Sequence, residues 1–190
     1  MPLTTYTPGE VLTAASLNDN FTFAAANPPG GLTLISETTI GTTVSSVTVS
    51  GAFSATYDNY KIIVSGGVGS TNITLRLQLG STTTGYYLGV NRASYETGGA
   101  STEFTNNGST FEDAGYASTG GINANIELTD PFATLRTGFT TQFGQLATTG
   151  NSYSGTGFQN SATSFTAFTF TTSTGTLTGG TIRVYGYQNS

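Results

Sequence analysis

The sequence contains no cysteine, no histidine and no tryptophan. The missing cysteine excludes a disulfide framework, a thiolate metal site and a nucleophilic thiol. The missing histidine removes Ser-His-Asp and Cys-His nucleophilic sites together with His-based zinc sites. Charge is scarce as well: 8% of residues, against about 25% in an ordinary domain. The cations are Lys61, Arg76, Arg92, Arg136 and Arg183, scattered along a chain of net charge −5. Nucleic-acid binding draws its affinity from clustered Lys and Arg at the phosphates, so no nucleic-acid partner is expected. No stretch approaches the 18 or so apolar residues of a membrane span, and the first residues lack the charged and apolar regions of a signal peptide. The expectation is a soluble, unprocessed chain with no membrane anchor.

Hydroxyls and glycine take the place of charge. There are 39 Thr, 19 Ser and 26 Gly. Threonine is β-branched and favours a half-buried pleated surface, while its hydroxyl keeps the outer face wet. With 12 Phe and 10 Tyr to fill a core, the composition is that of extended sheet with glycine-rich turns, not of disorder. The 190 residues suit one all-β domain with a short appendage.

One segment reads as helix. Thr13 is a good N-cap, and Leu12 and Leu17 stand at the N′ and N4 positions of a hydrophobic staple. Leu17, Phe21 and Ala25 recur at helical spacing, one apolar stripe over about three turns. Asn27-Pro28-Pro29-Gly30-Gly31 then stops the helix and forms a linker. A lone helix of about 12 residues is marginal in water and has to pack on something. Residues 1–31 are therefore expected to be an attachment arm, with Leu12, Leu17, Phe21 and Ala25 gripped by sister chains or by a larger particle.

Beyond the linker, residues 32–190 alternate with period two. Ile73, Leu75, Leu77 and Leu79 interleave with Thr74, Arg76 and Gln78, so one face packs and the other is solvated. Tyr60-Lys61-Ile62-Ile63-Val64 reads as a strand buried on both faces or in mid-sheet, with Lys61 pointing outward. Further strands are expected near 32–40, 44–49, 86–90, 122–128, 136–142, 165–171 and 181–187, punctuated by Gly66-Gly67, Gly98-Gly99, Asn107-Gly108, Gly120-Gly121 and Gly179-Gly180. Eight to ten such strands with no helices between them predict an antiparallel jelly-roll-like β-sandwich preceded by a short helix and linker. Residues 91–121 and 144–163 are rich in Gly, Ser, Thr and Asn with weak periodicity, and are expected to be long loops at the ends of the sandwich.

The residues offer little chemistry. A Ser-Lys dyad would need Lys61, inside a strand pattern. Paired carboxylates hydrolyse glycosides, but most of the ten acids sit where turns or solvation explain them: Asp58-Asn59 as a turn, Asp130-Pro131 as a strand terminator. Glu112-Asp113 lacks the dense oxygen spacing a calcium ion wants. Gly66-Gly67-Val68-Gly69-Ser70 has no helix behind it to offer a phosphate its N-terminus, and reads as a turn. No enzyme, no metal and no cofactor is expected. Tyrosine is the exception: Tyr95, Tyr116 and Tyr153 fall in the presumed loops among Asn, Ser and Gly, the usual vocabulary of glycan or protein recognition. Against that stands the plainer reading that they cap the core.

The run 6–21, through Thr7-Pro8-Gly9-Glu10-Val11-Leu12-Thr13-Ala14 and Leu17-Asn18 to Phe21, resembles the start of many tailed-phage fibre and head-fibre proteins. Gly179-Gly180-Thr181-Ile182-Arg183-Val184-Tyr185 and Tyr57-Asp58-Asn59-Tyr60-Lys61-Ile62 are similar to strands of jelly-roll domains in phage virion proteins. The resemblance covers about 35 residues. It implies a tailed-bacteriophage virion surface protein, made in the host cytoplasm, in which the N-terminal element contributes to a trimeric attachment region. The expected function is that of a homotrimeric capsid decoration or cement protein, with major capsid or tail proteins as partners. The alternative is a tail-fibre or baseplate component binding host surface glycan through its loops. The absence of a repetitive shaft favours the first.

Overall fold

The computed structural model describes residues 5–11, 13–26, 31–147 and 149–188, with main chain only for 23–26. The chain divides into two compact units, one spanning Met1–Gly31 and the other Leu32–Asn189.

In the first unit a tight turn precedes a helix, α1 (Ala14–Ala26). Pro8 and Gly9 occupy the centre of the turn; Gly9 has φ 95°, and Glu10 N–H donates to Thr7 O at 3.1 Å. A positive φ at the third turn position favours glycine, which is the physical meaning of the Pro8-Gly9 pair. The Glu10 carboxylate folds back to accept from Thr7 N–H at 3.0 Å. Thr13 then caps the helix as expected, its Oγ1 accepting from Ser16 N–H at 3.2 Å. Leu12, the staple partner expected for Leu17, and linker residues 27–30 lie outside the described residues, as does the side chain of Ala25.

The second unit is antiparallel throughout. Its strands are β1 (Leu32–Thr39), β2 (Ser46–Val49), β3 (Asn59–Ser65), β4 (Val68–Gly69), β5 (Ile73–Leu79), β6 (Tyr86–Ser94), β7 (Ala100–Gly108), β8 (Phe111–Ser118), β9 (Gly121–Thr129), β10 (Thr137–Gly144), β11 (Asn151–Gln159), β12 (Phe168–Thr172), β13 (Leu177–Thr178) and β14 (Thr181–Tyr187). Two four-stranded orders carry the fold, β1-β14-β3-β9 and β2-β12-β5-β8. That is the strand order of two interlocked Greek keys, a jelly roll. The β8–β9 hairpin joins the layers, with Ser118 opposite Gly121.

Two hairpins are added to this plan: β6–β7 between β5 and β8, and β10–β11 between β9 and β12. They pair with each other through β11 and β6 and extend the first layer to eight strands, β1-β14-β3-β9-β10-β11-β6-β7. The core between the layers is largely aromatic. Phe111 stacks on Phe139 (ring centroids 4.0 Å) and meets Tyr86 edge-on (4.9 Å), tying β8 to β10 and β6. Tyr86 also keeps its polar tip satisfied: its hydroxyl accepts from Leu79 N–H at 2.8 Å and donates to Thr82 O at 3.1 Å, while burial pushes its pKa up to about 12.

Residues 91–121 and 144–163 are not long loops. They hold the end of β6, all of β7 and β8, and β11, so there are more strands than the eight to ten expected. Their periodicity is weak because glycine occupies inward positions. On β11 the inward Gly155 leaves room for Val90, whose Cγ2 would lie 2.9 Å from an added Cβ. The apolar group filling that space belongs to the neighbouring strand, so β11 itself shows no hydrophobic alternation. β7 is an edge strand exposed along most of its length, and carries no apolar stripe at all.

Candidate functional site

The outer face of the added hairpins bears a cleft of about 920 Å³. Its walls come from the period-two geometry of antiparallel strands, which sets residues of directly paired positions side by side on one face. Thr102 on β7 pairs with Asn91 on β6, Asn91 with Ser154 on β11, and Ser154 with Gln142 on β10. Those four side chains form one line across four strands, and Asn125 of β9 borders the same cleft. Parallel to it runs a line of small residues, Ala100, Ala93, Ser152 and Gly144, in the same registers. The small residues make the trough; the amides and hydroxyls make its wall.

Tyr95 closes one end of the trough. It follows β6, where its N–H donates to Gly150 O at 2.8 Å, and its ring lies against Gly144 and Gly150. A Cβ at Gly150 would stand 3.2 Å from the Tyr95 ring, and one at Gly144 would overlap its hydroxyl. Glycine at both positions is what lets the ring settle there, with 51% of the residue still exposed. Asn123 steadies the far side by donating from Nδ2 to Gly144 O at 3.0 Å. Asn125 Oδ1 is buried and has no hydrogen-bond partner among the described residues.

Of the three tyrosines singled out in the sequence, Tyr95 and Tyr153 border this cleft, and of those two Tyr95 alone is exposed. Tyr153 is on β11 and 7% exposed, its ring stacked on Phe143 at 4.6 Å and its hydroxyl accepting from Gln145 Nε2 at 3.0 Å. Tyr116 lies on β8, half-buried against the core. Both sit in strands, not in loops, because the segments around them pair laterally. The residues that sequence reading missed are Asn91, Asn125, Gln142 and Ser154. The available signal was polar alternation, Asn123-x-Asn125 and Ser152-x-Ser154, which marks an outward face as surely as apolar alternation marks an inward one.

The charged groups gather elsewhere, at a smaller cleft of about 310 Å³ lined by Arg76, Glu103, Glu112 and Asp113. Arg92 Nη1 donates to Glu103 Oε1 at 2.9 Å. Arg76 Nε stands 2.6 Å from Glu112 Oε2, a charge contact whose N–H direction misses the carboxylate. Asp113 is pushed up to about 6, chiefly by burial and then by the neighbouring Glu103 and Glu112 carboxylates. Glu112 and Asp113 are strand residues of β8, not loop residues, and among the described residues no group of three or more Asp, Glu, His or Cys is placed to hold a metal ion. Lys61 points outward, as expected, to Glu127 Oε1 at 3.3 Å, and Tyr187 donates to that same oxygen at 2.7 Å, which holds the Glu127 carboxyl below its usual range.

Among the described residues no helix is long and apolar enough to cross a membrane. Comparison with protein-family models, with curated proteins and with solved structures finds no match to this chain.

Proposed function

We propose that this chain is a non-enzymatic structural protein on the surface of a tailed-phage particle, a homotrimeric capsid decoration or cement protein fastened through residues 1–31. The observation that carries the reading is the helix ahead of the jelly roll. Leu17 and Phe21, one turn apart on α1, are 41% and 65% exposed, while the β unit that follows holds a core of its own. A 13-residue helix with such a stripe gains stability from burial against other chains, each large apolar side chain contributing about 1.5–3 kcal/mol. The resemblance of residues 6–21 to phage attachment segments supports the same reading, and the Pro8-Gly9 turn and Thr13 cap give that motif a structural purpose.

The test is incorporation into particles. The double variant Leu17→Asp/Phe21→Asp places charge on the stripe and leaves the β unit untouched. Particles assembled with it are expected to lose the protein, while its far-ultraviolet circular dichroism keeps the β signature. Full occupancy by the variant would sink the attachment role. An image reconstruction of the wild-type particle separates head from tail: density on the capsid lattice supports a decoration protein, and density confined to the tail supports the fibre or baseplate alternative.

A further inference from the structure

We infer that the outer-face cleft of the added hairpins binds a neutral oligosaccharide lying across the strands, with Tyr95 as its stacking platform. This holds whether or not the chain belongs to a virion. The lining decides the chemical class. The line Thr102, Asn91, Ser154 and Gln142 spans three interstrand spacings of about 4.8 Å, and Asn125 extends it to a fifth strand, a polar wall of roughly 19 Å. Amide side chains both donate and accept, which matches the paired hydroxyls along the edge of a sugar chain. Beside them Ala100, Ala93 and Ser152 leave depth for the rings, and Tyr95 covers Gly144 at the end of that row. Tyr95 supplies an exposed aromatic face.

Other ligand classes fit worse. Arg92 is the only charged residue bordering the cleft, and its guanidinium is engaged by Glu103, so an anionic polymer finds no counter-charge. A peptide adding as a strand would pair along the outer edge of β7, at the rim of the cleft and not across its floor, because β6, β10 and β11 have both edges occupied by ladder partners. A lipid surface needs contiguous apolar area, which amides and hydroxyls interrupt.

The experiment titrates the full chain with maltotetraose, cellotetraose and mannotetraose, with tetragalacturonate as the acidic comparator. Because the chain has no tryptophan, its intrinsic fluorescence is tyrosine emission, and NMR shift changes give an independent readout. At least one neutral tetrasaccharide is expected to saturate the protein below about 10 mM. Tyr95→Ala is expected to weaken that binding about tenfold through loss of the stacked ring. Gly144→Ala, whose methyl displaces the Tyr95 hydroxyl, should weaken it as well, whereas Phe104→Ala, at an 84% exposed position outside the cleft, should not. The inference is overturned if no neutral tetrasaccharide saturates the chain, if tetragalacturonate binds more tightly than all three, or if Tyr95→Ala, shown folded by circular dichroism, binds as the wild type does.

Discussion

Asp113 shows how one residue couples the sandwich to solution conditions. It faces Glu103 of β7 and Glu112 of β8, with Arg92 of β6 and Arg76 of β5 opposing them, and the net effect raises its pKa from 3.8 to about 6. Between those values the folded chain holds a proton that the unfolded chain has released. The protonated group thus contributes stability that is full below about pH 3.8 and is lost as pH rises through 6. Asp113→Asn keeps the site neutral at every pH. It is expected to stabilise the protein at pH 7 by on the order of 1 kcal/mol, solvent screening having reduced the larger value the shift alone implies. Urea titrations at pH 4 and pH 7 should show the variant's advantage at pH 7 and none at pH 4; equal differences at both would refute the assignment. Tyr95 and Tyr153 make the complementary point. Both are tyrosines among Ser, Asn and Gly, yet one ring is exposed over two glycines and the other is buried on Phe143, because adjacent positions of a strand-and-turn segment can face opposite sides of a sheet.

At the scale of elements, α1 is the piece most dependent on local sequence. Its start is set by the Thr13 hydroxyl on Ser16 N–H, with Ser16 Oγ donating to Thr13 O at 3.0 Å. Thr13→Ala is expected to cost about 1 kcal/mol of helix stability. In trifluoroethanol, which holds a synthetic peptide covering residues 5–26 helical, that change should lower the helical ellipticity, and an unchanged spectrum would show that the cap contributes nothing. The strands divide by how they announce themselves. β5 and β14 coincide with the alternation that foretells them, since every inward position carries its own apolar side chain or, at Gly186, the Tyr57 ring. β7, β8 and β11 were hidden in the segments read as loops. Their pairing is specified by neighbours: β11 pairs with β6 over all nine of its residues and with β10 over eight, with glycines where those strands project.

Across the whole molecule, the topology is non-local. β1 pairs with β14, setting Leu32 opposite Tyr187, and β3 pairs with β9 over seven residues, so the layers close only when distant parts of the chain meet. Loop closure of that length slows folding, and stopped-flow refolding of the full chain is expected in the millisecond-to-second range, not in microseconds. A microsecond phase accounting for the whole amplitude would contradict the closure order that the jelly roll demands. The sequence by itself determined the class of this protein: hydroxyl-rich β-branched strands, glycine turns, one capped helix, and no His or Cys with which to build a nucleophilic or metal centre. Those features are local, because rotamer stiffness, turn geometry and side-chain chemistry act within a few residues. Only the tertiary structure decided which strands are neighbours, and with that the added hairpins, the line from Thr102 to Gln142 and the seat of Tyr95 over Gly144 and Gly150. Cross-strand register places side chains distant in sequence within about 5 Å of each other, and no window along the chain contains that distance.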